Sequence, residues 1–162
     1  MQLTDVEIRV LLTSITRQLR GLYDGANWVA ENLSKRLGAL TEVEAFTVPT
    51  GHSTSIAQQL LHMAAWRQFV IEQLKKNEGF DVNTAAADWP TPQQWPATLA
   101  AFAVTQTELL TQLEQFDIGR WHAKVPGRAY NFGFMLQGVI HHDFYHYGQI
   151  GAALAALGRA KA

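Results

Sequence analysis

The sequence contains no cysteine. This absence excludes disulfides, thiolate nucleophiles and cysteine-type zinc sites, so any metal must be held by histidine, carboxylate or backbone oxygen. It fits a cytoplasmic protein, which is the location we expect. The sequence also has no large excess of positive or negative residues, because its formal net charge is only -1. Without a basic field to gather phosphates, we expect no binding to nucleic acid or to anionic membranes.

Long apolar runs are also missing. No stretch approaches the roughly 18 to 20 apolar residues that span a bilayer, and the N-terminal segment has acids where a signal peptide needs basic residues. We therefore expect a soluble, unprocessed protein. The chain has 162 residues, of which 48% are hydrophobic, which is enough to close one core. We predict a single domain over residues 1–162.

Apolar residues recur at helical spacing in four long segments, and no strand pattern competes with them. Capping boxes at Thr4 and Glu7, and at Ser55 and Gln58, predict where the first two long helices begin. Asn131 is the expected cap of the last helix, which should end near Gly158. The sequence thus predicts an all-α four-helix bundle with long connections.

The predicted core positions follow from the same spacing. In the first helical region they are Val6, Val10, Leu11, Ile15, Leu19 and Leu22, continued after a kink or in a short second helix by Trp28, Val29, Leu33 and Leu37. In the third long helix they are Leu99, Phe102, Val104, Leu109, Leu110 and Leu113. Residues 41–54 and 78–96 are predicted to be connections without a regular period, and the aromatic residues of the second should anchor it to the bundle.

The segment HHDFYHYGQI at residues 141–150 is the most informative part of the chain. It places His142 and His146 four residues apart, so both imidazoles lie on one helix face, one turn from each other. Two buried imidazoles at this distance would repel each other if charged and leave nitrogens unsatisfied if neutral. A shared divalent metal ion solves both problems, since neutral imidazole is a good ligand for zinc, nickel, iron or copper.

A third ligand is needed, because two histidines hold a metal weakly. His62 is the best candidate, since it lies on the inward side of the second long helix, and helical bundles often build metal sites from facing helices. Three protein ligands leave positions open for water or substrate, which is typical of a catalytic site. The alternative interpretation is that these three residues are ordinary hydrogen-bonded core histidines.

Other residues near the pair are candidates for supporting roles. Asp143 could fix a ring tautomer of His146, and Gln149 lies on the predicted metal face, where it could orient a bound water. Tyr145 either packs against its neighbours with its hydroxyl in solvent or donates a hydrogen bond to the substrate. Trp66 lies one turn after His62, on the side where the pocket is expected. His52 is either a loop residue beside a helix cap or a group at the mouth of the site.

These motifs resemble the DinB-like superfamily of metal-binding four-helix bundles, in its YfiT-like branch. The resemblance runs from end to end of the chain, and the last block is its most specific part. It rests on Tyr23, Asp24 and Trp28, on His52, Ser53 and Ile56, on residues 61–66, and on His142, Asp143, Tyr145, His146, Gly148, Gln149 and Ile150. It implies that His62, His142 and His146 bind one divalent ion between the second and fourth long helices.

The resemblance also implies a range of activities. Characterised relatives include metal-dependent transferases and isomerases that use low-molecular-weight thiols such as bacillithiol or mycothiol, and other relatives are classed as hydrolases. We expect a small-molecule substrate attacked by an activated water or a thiolate, zinc or nickel as the first choice of metal with manganese and iron open, and a homodimer. The leading hypothesis is a thiol-dependent transferase; the alternatives are a metal-dependent hydrolase and a noncatalytic, stress-related metal-binding bundle.

Overall fold

The computed structural model of the protein describes residues 2–29 and 31–159. Within these residues the regular structure is helical, apart from one isolated antiparallel bridge between Lys124 and Asn131. The helices are α1 (Asp5–Tyr23), α2 (Leu33–Gly38), α3 (Glu42–Phe46), α4 (Ile56–Leu74), α5 (Ala85–Asp88), α6 (Trp95–Glu114) and α7 (Phe132–Ala156), with a short 3-10 turn at Ile118–Arg120.

The four long helices α1, α4, α6 and α7 form the bundle, which confirms the predicted all-α fold. Helix α4 packs against both α6 and α7, and α1 closes the other side of the same two helices. Because α4 is enclosed by its neighbours, even its polar residues Gln59, His62 and Arg67 are buried. None of the helices within the described ranges combines the length and the apolar character needed to cross a bilayer.

The predicted helix boundaries are confirmed where capping residues defined them. The side chain of Thr4 accepts from the backbone N–H of Glu7, and that of Ser55 accepts from Gln58, each within a complete capping box. Asn131 caps α7 in the same way through the N–H of Phe134. The helix ends shortly before Gly158, whose φ of 75° is a conformation that favours glycine.

Some predicted core positions are wrong. Val6 and Val10 are 72% and 64% exposed, because the buried stripe of α1 runs through Ile8 and Ile15 instead. Val104 is 62% exposed, since it lies between inward positions of α6. The helical pattern does not continue through Trp28 either: α1 ends at Tyr23, and the Trp28 side chain is fully exposed.

Both long connections contain short helices that periodicity did not reveal. Helix α3 lies inside residues 41–54, where Thr41 and Glu44 form a further capping box. Helix α5 lies inside residues 78–96, where Thr84 caps a single turn that ends at Trp89. This second connection covers α4 at His62, since the carbonyl of Asp88 contacts the imidazole there.

Gly133 on α7 gives the first testable prediction. A Cβ at this position would lie 2.5 Å from Cε2 of Trp121, a residue that is only 2% exposed. Helix propensity favours alanine by about 1 kcal/mol, but overpacking of this kind costs about 1 to 3 kcal/mol. We therefore expect Gly133→Ala to lower the urea midpoint. The control Gly148→Ala, where no heavy atom lies within 4 Å, should leave the midpoint unchanged or raise it; equal behaviour of the two variants would contradict the prediction.

Candidate metal centre

Three imidazoles meet between α4 and α7. His142 and His146 come from consecutive turns of α7, as their spacing predicts, and the packing of α4 on α7 brings His62 to them. Their ring centroids are 4.5 to 4.9 Å apart, and one nitrogen of each lies within 4.8 Å of the other two. His62 and His146 are only 6% and 4% exposed. These three side chains could hold one metal ion.

The hydrogen bonds decide which ring nitrogens are free. Nδ1 of His62 lies 2.8 Å from the carbonyl oxygen of Asp88. Since a carbonyl can only accept, this nitrogen carries the hydrogen and Nε2 presents a lone pair. Nδ1 of His146 likewise donates to Oε1 of Gln59 at 3.4 Å. Both rings therefore turn an unprotonated Nε2 away from these partners, as a metal ligand requires.

His142 differs from the other two. Its Nε2 lies 3.0 Å from Nε2 of His62. Because the His62 nitrogen can only accept, His142 is the donor in this contact, which leaves its Nδ1 without a hydrogen. That Nδ1 is buried without a hydrogen-bond partner, and so is Oδ1 of Asp143, which lies 4.0 Å away.

Burial and the neighbouring rings lower the pKa of both histidines on α7. The pKa of His142 is lowered to about 3, mainly by burial and then by the neighbouring His146 and His62. The pKa of His146 is lowered to about 4, again mainly by burial. Neutral imidazoles are the form that binds a metal ion, so at pH 7 these two side chains need to lose no proton.

A small group of residues from the end of α5 and the loop after it fixes the His62 ring. The indole of Trp89 stacks on it, with ring centroids 3.9 Å apart and planes inclined by 10°. Oδ1 of Asp88 lies 3.1 Å from its Nδ1 and also accepts from Nε1 of Trp66 at 2.7 Å. Trp66 thus positions the Asp88 carboxylate, which in turn positions His62.

His146 is held by two amides. Gln59, one turn before His62 on α4, accepts from its Nδ1, and the side chain of Gln149 also forms a hydrogen bond with it. Gln149 therefore lies against the cluster. Tyr145 is 62% exposed, and its ring meets that of His146 edge-on at a centroid distance of 5.0 Å.

Asp143 does not take the role that its sequence position suggests. Its spacing predicts that it fixes the tautomer of His146. Instead, its fully buried carboxylate faces Arg67, and Oδ2 accepts from Nε of Arg67 at 2.9 Å. Burial raises the pKa of the Asp143 carboxyl, against the opposing effect of the guanidinium. The nearest histidine nitrogen is Nδ1 of His142, so this is the ring that Asp143 can orient.

His52 remains apart from the cluster. It lies in the turn before α4, where its backbone N–H donates to the carbonyl of Pro49. Within residues 2–29 and 31–159, its side chain makes no hydrogen bond, ion pair or ring contact. Its predicted position over the mouth of the site therefore has no contact to support it, and the interpretation as a loop residue beside the Ser55 cap fits better.

Comparison with known protein families shows to which family the chain belongs. A family model described as DinB superfamily matches residues 26–150. The chain belongs to the DinB superfamily. The matched part contains α4 and most of α7, hence all three clustered histidines. Comparisons with curated proteins and with solved structures gave no match.

Several residues that surround the histidine cluster were not predicted from the sequence. Gln59 could have been found, since it lies three residues before His62 and thus on the same helix face. Arg67 could have been flagged as the one positively charged residue in a largely uncharged stretch of α4. The expected anchoring of the aromatic residues in 78–96 agrees with the stacking of Trp89, but no pattern pointed to His62 as its partner. Asp88 had no signal, because it reaches His62 from a connection whose path no local pattern specifies.

The lowered pKa values of His142 and His146 predict that the stability of this protein depends on pH in the presence of a chelator. The unfolded chain takes up protons at the ordinary histidine pKa of 6.5, whereas folded His142 and His146 stay neutral down to about 3 and about 4. Since the unfolded state binds more protons in this window, the free energy of unfolding should fall as the pH falls below 6.5. Urea unfolding at pH 7 and pH 5 should show a smaller fall in the His142→Ala/His146→Ala variant; an equal fall would contradict the prediction.

Proposed function

We propose that this protein binds one divalent metal ion through His62, His142 and His146 and uses it to react a small electrophile with a low-molecular-weight thiol. The observation that carries the proposal is the convergence of three imidazoles, two of them buried and that of His142 partly buried, with nitrogens within 4.8 Å of one another. Three protein ligands of this type are typical of catalytic metal sites, which keep a position open for substrate.

Two buried atoms without hydrogen-bond partners, Nδ1 of His142 and Oδ1 of Asp143, support metal binding at this cluster. If His142 binds through Nε2, its hydrogen must lie on Nδ1, where the unpaired Oδ1 of Asp143 is the nearest acceptor. The same change removes the contact between the two Nε2 atoms of His142 and His62. A bound cation would thus give both atoms a partner once their separation of 4.0 Å closes to hydrogen-bond distance, whereas ordinary core histidines leave them unpaired.

The ligand chemistry favours zinc or nickel, because three imidazoles suit both, and manganese and iron are weaker candidates. When bound, such an ion supplies a Lewis acid that can favour the thiolate form of a thiol or polarise an electrophile. The protein's own contribution is orientation: Asp88 and Trp89 hold His62, and Gln59 and Gln149 hold His146.

Thiol transfer is favoured over hydrolysis by the state of the nearby carboxylates. Hydrolysis benefits from a free general base within reach of the attacking water. Asp88 is engaged by His62 and Trp66, and Asp143 is paired with Arg67. A thiol with a lowered pKa is already ionised and needs no such base, so the site suits it better.

The test combines a chlorinated nitroarene with cysteine or glutathione. In this reaction the thiolate sulfur forms a bond to the ring carbon, chloride leaves, and the thiol proton goes to the buffer. We expect turnover that requires loaded metal and is lost with a chelator and in the His142→Ala/His146→Ala variant. Thiol-independent, metal-dependent hydrolysis of esters or amides would overturn the transferase in favour of the hydrolase. Metal-dependent stabilisation without turnover on either panel would favour a noncatalytic metal-binding bundle.

A further inference from the structure

A cavity of about 280 Å³ lies directly beside the histidine cluster. Helix α4 contributes Trp66, Phe69 and Val70 to its wall, and α7 contributes Met135, Val139 and His142. His142 is part of both the cluster and the cavity wall. Its ring is 4.5 Å from that of His146, and the same residue lines the cavity. A molecule in the cavity would reach the side of the proposed metal site.

The lining is almost entirely carbon. Neither lysine nor arginine, aspartate nor glutamate lines the cavity among the described residues. The indole nitrogen of Trp66, a possible polar contact, already donates to Asp88. A charged group would lose its water here and find no opposite charge on the wall, which costs several kcal/mol. An apolar group would instead gain about 25 cal/mol for each Å² that it removes from water.

The cavity reaches the surface at the start of α7. Phe134 lines it and is 65% exposed, and its ring stands 5.4 Å from that of the half-buried Tyr130 on the same wall. Large exposed aromatic side chains at the edge of an apolar pocket are typical of ligand-binding sites. An entry path from solvent therefore exists on the side away from the bundle core.

We infer that this cavity binds an uncharged aryl group, of about the size of a naphthalene ring system, that forms the apolar part of the substrate. The size follows from volume, because a cavity of about 150 Å³ already accepts benzene and this one is nearly twice as large. The inference rests on the proposed function for the role of the aryl group as part of a substrate. Binding of the group itself depends only on the cavity.

Gly138 offers a direct test. It lies on the cavity wall, and a Cβ built there meets no heavy atom within 4 Å. A leucine at this position begins from an uncrowded Cβ, adds bulk at the cavity wall and improves helix propensity. Gly148 on the same helix has equally open surroundings but lies outside the cavity, so Gly148→Leu is the matched control.

The probe is 1-nitronaphthalene, and binding is read from quenching of tryptophan fluorescence, since Trp66 lines the cavity. We expect Gly138→Leu to weaken binding by about tenfold or more, with metal content unchanged, and Gly148→Leu to bind as the wild type does. The charged probe 1-naphthalenesulfonate should bind wild type about tenfold more weakly than the neutral one. Phe134→Ala, a change at an exposed position, provides a second variant that should also weaken binding if Gly138→Leu does not fold.

Measurement of the metal content distinguishes failure of the inferred aryl site from failure of the proposed function. A protein that binds its metal but shows no binding of 1-nitronaphthalene, or the same binding in Gly138→Leu and Phe134→Ala, would overturn the inference. A protein that binds no metal but binds the probe, with loss of binding in Gly138→Leu, would overturn the proposed function and support the cavity as an aryl site.

Discussion

Replacing Asp143 by alanine is expected to lower the free energy of unfolding by about 3 to 5 kcal/mol. Arg67 is fully buried, and its Nε and Nη2 lie 2.9 and 2.8 Å from the same Asp143 oxygen. With the carboxylate removed, Gln106 is the remaining side-chain hydrogen-bond acceptor for the guanidinium among residues 2–29 and 31–159, and these residues leave the buried charge without a counterion. Typical domains are stable by about 5 to 15 kcal/mol, so urea unfolding followed by circular dichroism should show a large shift of the midpoint.

The control for this prediction removes both charges. Arg67→Met/Asp143→Leu replaces the pair with apolar side chains of similar size, and such replacements are often neutral or stabilising. We expect the double variant to be clearly more stable than Asp143→Ala. If the two variants lose the same free energy of unfolding, packing and not the unpaired charge determines the cost.

Loss of metal from the His142→Ala/His146→Ala variant is the second large effect that we expect. Wild-type protein without a tag, loaded in parallel with zinc, nickel or manganese, should retain close to one ion per chain by plasma mass spectrometry. The variant keeps only His62 of the three clustered histidines, and a single imidazole does not hold a divalent ion through desalting. The wild type alone should be stabilised by added metal, by about 2.7 kcal/mol at a free concentration one hundred times the Kd.

His141 provides the matched control, since it lies on the same helix but is exposed. His141→Ala should keep the metal content and the stabilisation of the wild type. Equal metal content in the wild type and the double variant would contradict the proposed ligand set, and with it the assignment of a metal-dependent activity.

The helices were predictable from sequence mainly where their ends are chemically marked. Thr4, Ser55 and Asn131 cap their helices as expected, because a cap depends on groups within three residues of one another. The inward face was less certain. Val6 and Val10 have helical spacing but point to solvent, since the packing of α1 on α6 and α7 selects the neighbouring stripe through Ile8 and Ile15.

The sequence by itself determined that His142 and His146 share one helix face, because 3.6 residues per turn fix the positions of i and i+4. It also indicated His62 as an inward residue of a facing helix. Only the tertiary structure decided that His62 meets the pair, that its Nδ1 is bonded to Asp88, and that Asp143 pairs with Arg67. These contacts and the cavity beside His142 depend on how helices and the loop after α5 lie against one another, and separations of 26 to 80 residues leave no local pattern from which that arrangement follows.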